Sequence, residues 1–168
     1  MNCIYEDTKS SQVPVVQEEN IPRELRQRPQ WVAYEPGSKI PLDPNTGRHA
    51  STTDSLTWGT FEEALRRAEE HGLGVGFVFS SGDPFVGVDL DKCRNPESGE
   101  VAQWAQEIID ELDSYTEASP SGTGVHIIAK GKLPKSVSRT LKDQGGKIEM
   151  YSQERFFTVT GNALEVEA

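Results

Sequence analysis

Apolar residues along this chain fall into short runs and two helical stripes, separated by clusters of Gly, Pro, Ser and Asp. Residues 1 to about 20 mix polar and acidic types without a period and read as a flexible arm. Ile21-Pro22 then opens a domain expected to run over 21–168. Trp31-Val32-Ala33-Tyr34 predicts a strand ended by Pro36-Gly37. Pro41, Pro44-Asn45 and Gly47 predict a long loop after it. Thr60 with Glu63 three residues on has capping-box spacing, and predicts a helix from 61 to about 70 that ends at Gly72. Its apolar face is Phe61, Ala64, Leu65 and Ala68. Two apolar strands follow, over 75–79 and 85–90, around the turn Ser81-Gly82-Asp83-Pro84. A second helix over 101–112 buries Ala105, Ile108, Ile109 and Leu112. Then come a strand near 114–117, a Ser-Gly-rich turn, a strand over 125–129, a basic loop over 130–146, and strands over 147–151 and 155–160. This order predicts an α+β domain: one antiparallel or mixed sheet with helices packed on one face.

Three places break the apolar pattern with chemistry. In Val86-Gly87-Val88-Asp89-Leu90-Asp91, strand alternation puts both aspartates on one face and Leu90 on the other. Two carboxylates on one face repel, and a hard divalent cation that takes oxygen ligands would offset the cost. The plainer alternative is a strand end running into a loop with both carboxylates solvated. Ser119-Pro120-Ser121-Gly122-Thr123-Gly124-Val125-His126 joins a Gly-rich turn to a strand carrying a histidine. Gly122 and Gly124 let backbone N–H groups approach a phosphate, the hydroxyls of Ser119 and Ser121 add donors, and His126 is placed to donate to a triphosphate oxygen. An ordinary hairpin turn with a surface or core histidine is the alternative here. In Lys147-Ile148-Glu149-Met150-Tyr151, Ile148 and Met150 share one face and Glu149 projects from the other, either as a solvated edge residue or as a third acid. Three carboxylates beside a phosphate-binding turn would hold metal and triphosphate together.

Composition narrows the picture. The 168 residues suffice for one domain with a hydrophobic core. No apolar run reaches the roughly 18 residues of a membrane helix, and the start lacks a signal-peptide pattern. No membrane partner is expected. Cys3 and Cys93 form no CxxC pair, so neither a disulfide framework nor a zinc site is implied, and a reducing cytoplasm is the expected compartment. The formal net charge of −10 is unlike that of a nucleic-acid enzyme, because Lys and Arg contacts to phosphate supply most non-specific affinity. Either the chain does not bind nucleic acid, or a further module or partner supplies the grip. Local patches decide contacts.

The acidic pair, the Ser-Gly-x-Gly-x-His turn and the later strand acid occur in the order seen in the archaeo-eukaryotic primase superfamily. The chain most resembles the primase–polymerases of phages and plasmids. There a Trp-led strand, a Lys-x-Pro segment, a Trp-x-Thr-Phe-x-x-Ala helix start and an Arg-Phe-x-Thr-x-Thr-Gly strand surround the three motifs. This chain has Trp31, Lys39-Ile40-Pro41, Trp58-Gly59-Thr60-Phe61-Glu62-Glu63-Ala64 and Arg155-Phe156-Phe157-Thr158-Val159-Thr160-Gly161, so the likeness runs over 21–161. The resemblance implies a sheet core related to RNA-recognition-motif domains with flanking helices. It implies a template-dependent nucleotidyltransferase, a DNA primase and polymerase. Asp89, Asp91 and Glu149 would bind two Mg²⁺ or Mn²⁺ ions, and His126, Ser121 and the turn would hold the incoming triphosphate. Arg155, as a phosphate or nucleotide contact or a structural ion pair, and Lys39 come next. Arg139, Lys142 and Lys147 are either a path for primer or template or merely a charged loop. The partners implied are nucleoside triphosphates and a single-stranded DNA template with its primer. The setting implied is a bacterial, phage or plasmid one. Two departures stand out: these 168 residues hold no Cys/His cluster for the zinc-binding insertion of many primases, and the helical region or helicase that often follows this core would be expected as a partner outside them.

Two rival classes remain. An endonuclease or rolling-circle initiator can use similar sheets and carboxylate-bound metals, but initiators need a His-hydrophobic-His metal pair and a nucleophilic tyrosine, and His49, His71 and His126 are not so paired. A non-catalytic module that binds nucleotide or docks on a helicase need not keep all three acids.

Overall fold

The computed structural model describes residues 15–164. Of the expected arm, residues 1–14 lie outside the described residues. The 3-10 turn Glu18–Asn20 is tied to the domain, with Gln17 N–H donating to Thr160 O at 2.7 Å and Asn20 to Gly161 O at 3.0 Å. In chain order follow α1 (Arg23–Arg26), β1 (Trp31–Tyr34), β2 (Pro41–Leu42), α2 (Phe61–His71), β3 (Gly74–Phe79), β4 (Phe85–Asp91), α3 (Gln103–Leu112), β5 (Tyr115–Ala118), β6 (Val125–Lys130), β7 (Val137–Leu141), β8 (Gly146–Tyr151) and β9 (Arg155–Val159).

The fold is α+β, but its strands form two antiparallel sheets where one was expected. β2-β1-β3-β9 make the first and β5-β6-β4-β8-β7 the second. The helices divide between them. α2 starts as its capping residues dictate, with the Thr60 side chain accepting from Glu63 N–H and Gly72 closing it in the left-handed region. It packs Phe61, Ala64 and Ala68 into a cluster with Trp31, Val75, Phe77, Phe79, Phe85 and Phe157. The aromatic rings meet edge to face, centroids 4.8 to 5.9 Å apart. α3 instead covers the second sheet, where Ala105 and Ile109 meet Val86, Val88, Leu90, Val125 and Ile127. It begins at Gln103, later than the expected 101, because Val101 pairs with Arg94 in an isolated bridge.

β4 therefore has two faces with separate duties. Val86, Val88 and Leu90 point to α3, while Phe85, Gly87, Asp89 and Asp91 share the other side. A Cβ on Gly87 would lie 2.6 Å from Phe79 and 2.7 Å from Phe157, so glycine is what lets the first sheet close on the second. The expected basic loop over 130–146 contains β7, an edge strand with four of its five residues exposed. An edge strand that buries little leaves no alternation to read.

Candidate active site

Strand pairing brings distant acids into one row. Asp89, in the middle of the second sheet, lies opposite His126 on one side and Glu149 on the other. The row continues outward to Glu117 opposite His126 and to Ser138 opposite Glu149. Directly opposed residues of antiparallel strands share a face with Cβ atoms about 5 Å apart. One step along the strand, Asp91 faces Lys147. Asp89, Asp91, Glu149 and His126 thus come together as a single group.

Burial makes this row electrostatically tense. The Asp89 carboxyl is pushed up to about 7, first by burial, then by the negative charges of Asp91 and Glu149, with Lys39 pulling it down. Its Oδ1 is buried and has no hydrogen-bond partner among the described residues. His126 Nε2 stands 3.6 Å from that oxygen, too far for a hydrogen bond. The imidazole stacks on Phe157 at 4.7 Å, and burial holds it below the usual histidine range while Glu117 pulls the other way. Glu117 is fully buried, accepting from Tyr115 Oη at 2.6 Å and from the N–H groups of Thr160 and Gly161. Burial raises its carboxyl, and those donors partly offset the rise.

A cleft of about 680 Å³ opens beside the row. Asp89, His126, Glu149 and Tyr151 line it from the second sheet; Arg155 and Phe157 from β9; Lys39 and Thr52 from the loops around β2. The Arg155 guanidinium lies 5.0 Å from the centre of the Tyr151 ring. Lys39 and Arg155 give this side of the acids a positive wall.

The glycine turn is placed differently. Its hydroxyls bond one another, Ser119 to Ser121 at 3.1 Å and Ser121 to Thr123 at 2.8 Å, and Arg94 donates to Gly122 O at 2.9 Å. Gly124 abuts the end of β4, where a Cβ would come 2.7 Å from Leu90 O. None of Ser119, Ser121, Gly122 and Gly124 lines the cleft. The basic trio is also split. Arg139 pairs with Ile148 and so belongs to the α3 face, Lys142 sits exposed on the β7–β8 turn, and Lys147 joins the acids. Glu117, Thr52, Tyr151 and Phe157 were not singled out from the sequence. Only the arginine and histidine near them hinted at their setting.

Clustered carboxylates facing a cationic wall have the chemistry to attract a hard divalent cation and a phosphate group. No family model matches the chain. The chain is similar to the DNA primase-polymerase of Nitratiruptor phage NrS-1, with 41% identity over 140 residues, covering 81% of this chain and 20% of that protein. The chain carries a domain of the phage primase–polymerase type. It spans about a fifth of the length of this curated relative.

Proposed function

We propose that this domain is the catalytic core of a template-dependent nucleotidyltransferase, adding nucleoside triphosphates to a primer on single-stranded DNA. The observation that carries the reading is that Asp89 and Glu149, paired on neighbouring antiparallel strands, line one cleft with Lys39 and Arg155, with Asp91 further along the same face of β4. Among the described residues no three His, Cys, Asp or Glu side chains already stand as a metal cage. The donors nevertheless suit a hard divalent cation: all are carboxylates, and the orphaned Asp89 Oδ1 lacks the partner a cation would provide. Asp89, Asp91 and Glu149 would hold two Mg²⁺ or Mn²⁺ ions. Bound there, such ions would supply activation of the attacking 3′-hydroxyl and stabilisation of the pyrophosphate leaving group.

The rest of the chemistry belongs to the side chains. Lys39 and Arg155 counter the triphosphate charge across the cleft. His126, stacked on Phe157 and lining the cleft beside Asp89, would donate to a triphosphate oxygen. The Ser119-to-Gly124 turn supports the end of β4 that carries Asp91. Lys142 is the exposed contact for a primer or template backbone. A chain of net charge −10 grips DNA weakly, so we infer that further segments or a partner such as a helicase supply the hold. We also infer a relation to RNA-recognition-motif domains. It is supported by the order β5-β6-β4-β8 with α3 following β4, a split βαβ arrangement in which β7 stands where a second helix would be.

The test is extension of a labelled primer on single-stranded template with Mg²⁺ or Mn²⁺. Asp89→Ala with Asp91→Ala is expected to reduce product to background while the circular-dichroism spectrum stays native. Full activity in that double variant removes the site. Metal-dependent triphosphate binding without product would favour the non-catalytic module instead.

A further inference from the structure

The acidic site contains a cation of the chain's own. Lys147 lies two residues before Glu149 on β8, on the same face, and directly opposite Asp91 on β4. Its ammonium is bonded to Glu149 Oε1. The lysine side chain is 42% exposed and the glutamate 18%, so the ammonium sits at the mouth and the carboxylate further in. Asp91 and Asp89 add to the attraction that keeps it there.

Two features separate this pair from an ordinary surface ion pair. Exposed pairs contribute little to stability, so the fold has small use for it. The carboxylate it engages is also one of the three that the catalytic reading requires, and it is engaged while Asp89 Oδ1, on the neighbouring strand, has no hydrogen-bond partner among the described residues. Of three acids in one group, Glu149 holds a bonded ammonium while Asp89 keeps one oxygen without a hydrogen bond among the described residues. A divalent ion that needs both must displace the ammonium from Glu149 or share the carboxylate with it.

Resting on the metal-site reading above, we propose that Lys147 is an internal counter-cation, which occupies Glu149 when no divalent ion is bound and competes with that ion for the acidic group. The ammonium neutralises one of the three negative charges, which limits repulsion among Asp89, Asp91 and Glu149 in the metal-free state. The same charge weakens attraction for a second cation. Even at the dielectric of bulk water, a unit positive charge some 5 Å from a divalent ion opposes its binding by roughly tenfold in affinity. Lys147 therefore belongs to the metal site and not to a nucleic-acid track with Arg139 and Lys142.

The test is calorimetric titration of the full chain with Mn²⁺ at pH 8 and low salt, without nucleotide. Lys147→Met is expected to bind Mn²⁺ about tenfold more tightly than the unsubstituted protein, and Lys147→Arg to bind it equally. Lys147→Gln serves as a second neutral variant if the methionine form does not fold. Equal or weaker binding in the neutral variants overturns the proposal. The site itself is judged separately: if the unsubstituted protein binds Mn²⁺ and Asp89→Ala does not, the metal reading stands whatever Lys147 does. No Mn²⁺ binding by the unsubstituted protein overturns both.

Discussion

β3 and β4 are consecutive in the chain, similar in length and both flanked by two strands, yet they end differently. All six residues of β3 are buried, and Phe77 and Phe79 stand in the aromatic cluster. β4 starts the same way with Phe85 to Val88 buried, then turns to Asp89 and Asp91 on the face that has just packed Gly87 against Phe79 and Phe157. The apolar packing of Val75, Phe77 and Phe79 is what folding rewards. Around the far end of β4, folding brings like charges together and leaves a carboxylate oxygen bare. The aromatic region can carry that cost because large apolar side chains supply most of the stabilisation. Where sequence and local stability disagree, a functional site is the expected reason.

The contrast can be broken at its strong side first. Phe77 is fully buried among Trp31, Phe79 and Phe85, so Phe77→Ala is expected to cost about 3–5 kcal/mol in urea denaturation, enough to unfold a marginal domain. A loss below about 1 kcal/mol would mean that the aromatic cluster is not what holds the acids in place. Next comes the boundary between the regions. Gly87→Ala forces a methyl group against Phe79 and Phe157 and should cost about 1–3 kcal/mol. Because Phe157 also stacks on His126, the same substitution should weaken Mn²⁺ binding. Full stability together with unchanged binding would show that the two regions are not joined through this glycine.

Much of the stable region could be read from the sequence. The cap at Thr60, the stripe of α2 and the apolar runs of β3 and β4 are local patterns, and local patterns survive into the fold. The common face of Asp89 and Asp91 follows from strand alternation alone. Their surroundings do not. That Glu149 and His126 flank Asp89 depends on which strands pair and in what register, and β4 pairs with β6 and β8 across long intervening segments. The division into two sheets is likewise non-local, since β9 crosses back to β3. Glu117 sits in a short strand without any sign that three donors will enclose it. The glycine turn is the converse case: its composition suits a phosphate, while its hydroxyls and amides bond one another within the turn.

The smallest expected effect tests the weak side, and it has the unusual sign. The Asp89 carboxyl is pushed up to about 7 in the folded protein, whereas an unfolded chain ionises aspartate near pH 3.9 (a value of about that size in peptides). The folded state therefore binds this proton more tightly. The stability contributed by the protonated group is complete below about pH 4 and is lost as pH rises through about 7. At pH 8 the folded protein carries a charge it would be better without. Asp89→Asn removes that charge and, with chelator present, should unfold at a higher temperature than the unsubstituted protein. The gain is on the order of 1 kcal/mol, since a side chain 23% exposed is partly screened by water. The advantage should shrink as pH is lowered towards 5. Adding Mn²⁺ should then reverse the ranking, because only the protein with Asp89 gains stability from the ion. If Asp89→Asn is the less stable form at pH 8 without metal, the aspartate is supporting the fold, and the opposition between a stabilising β3 and a burdened β4 fails.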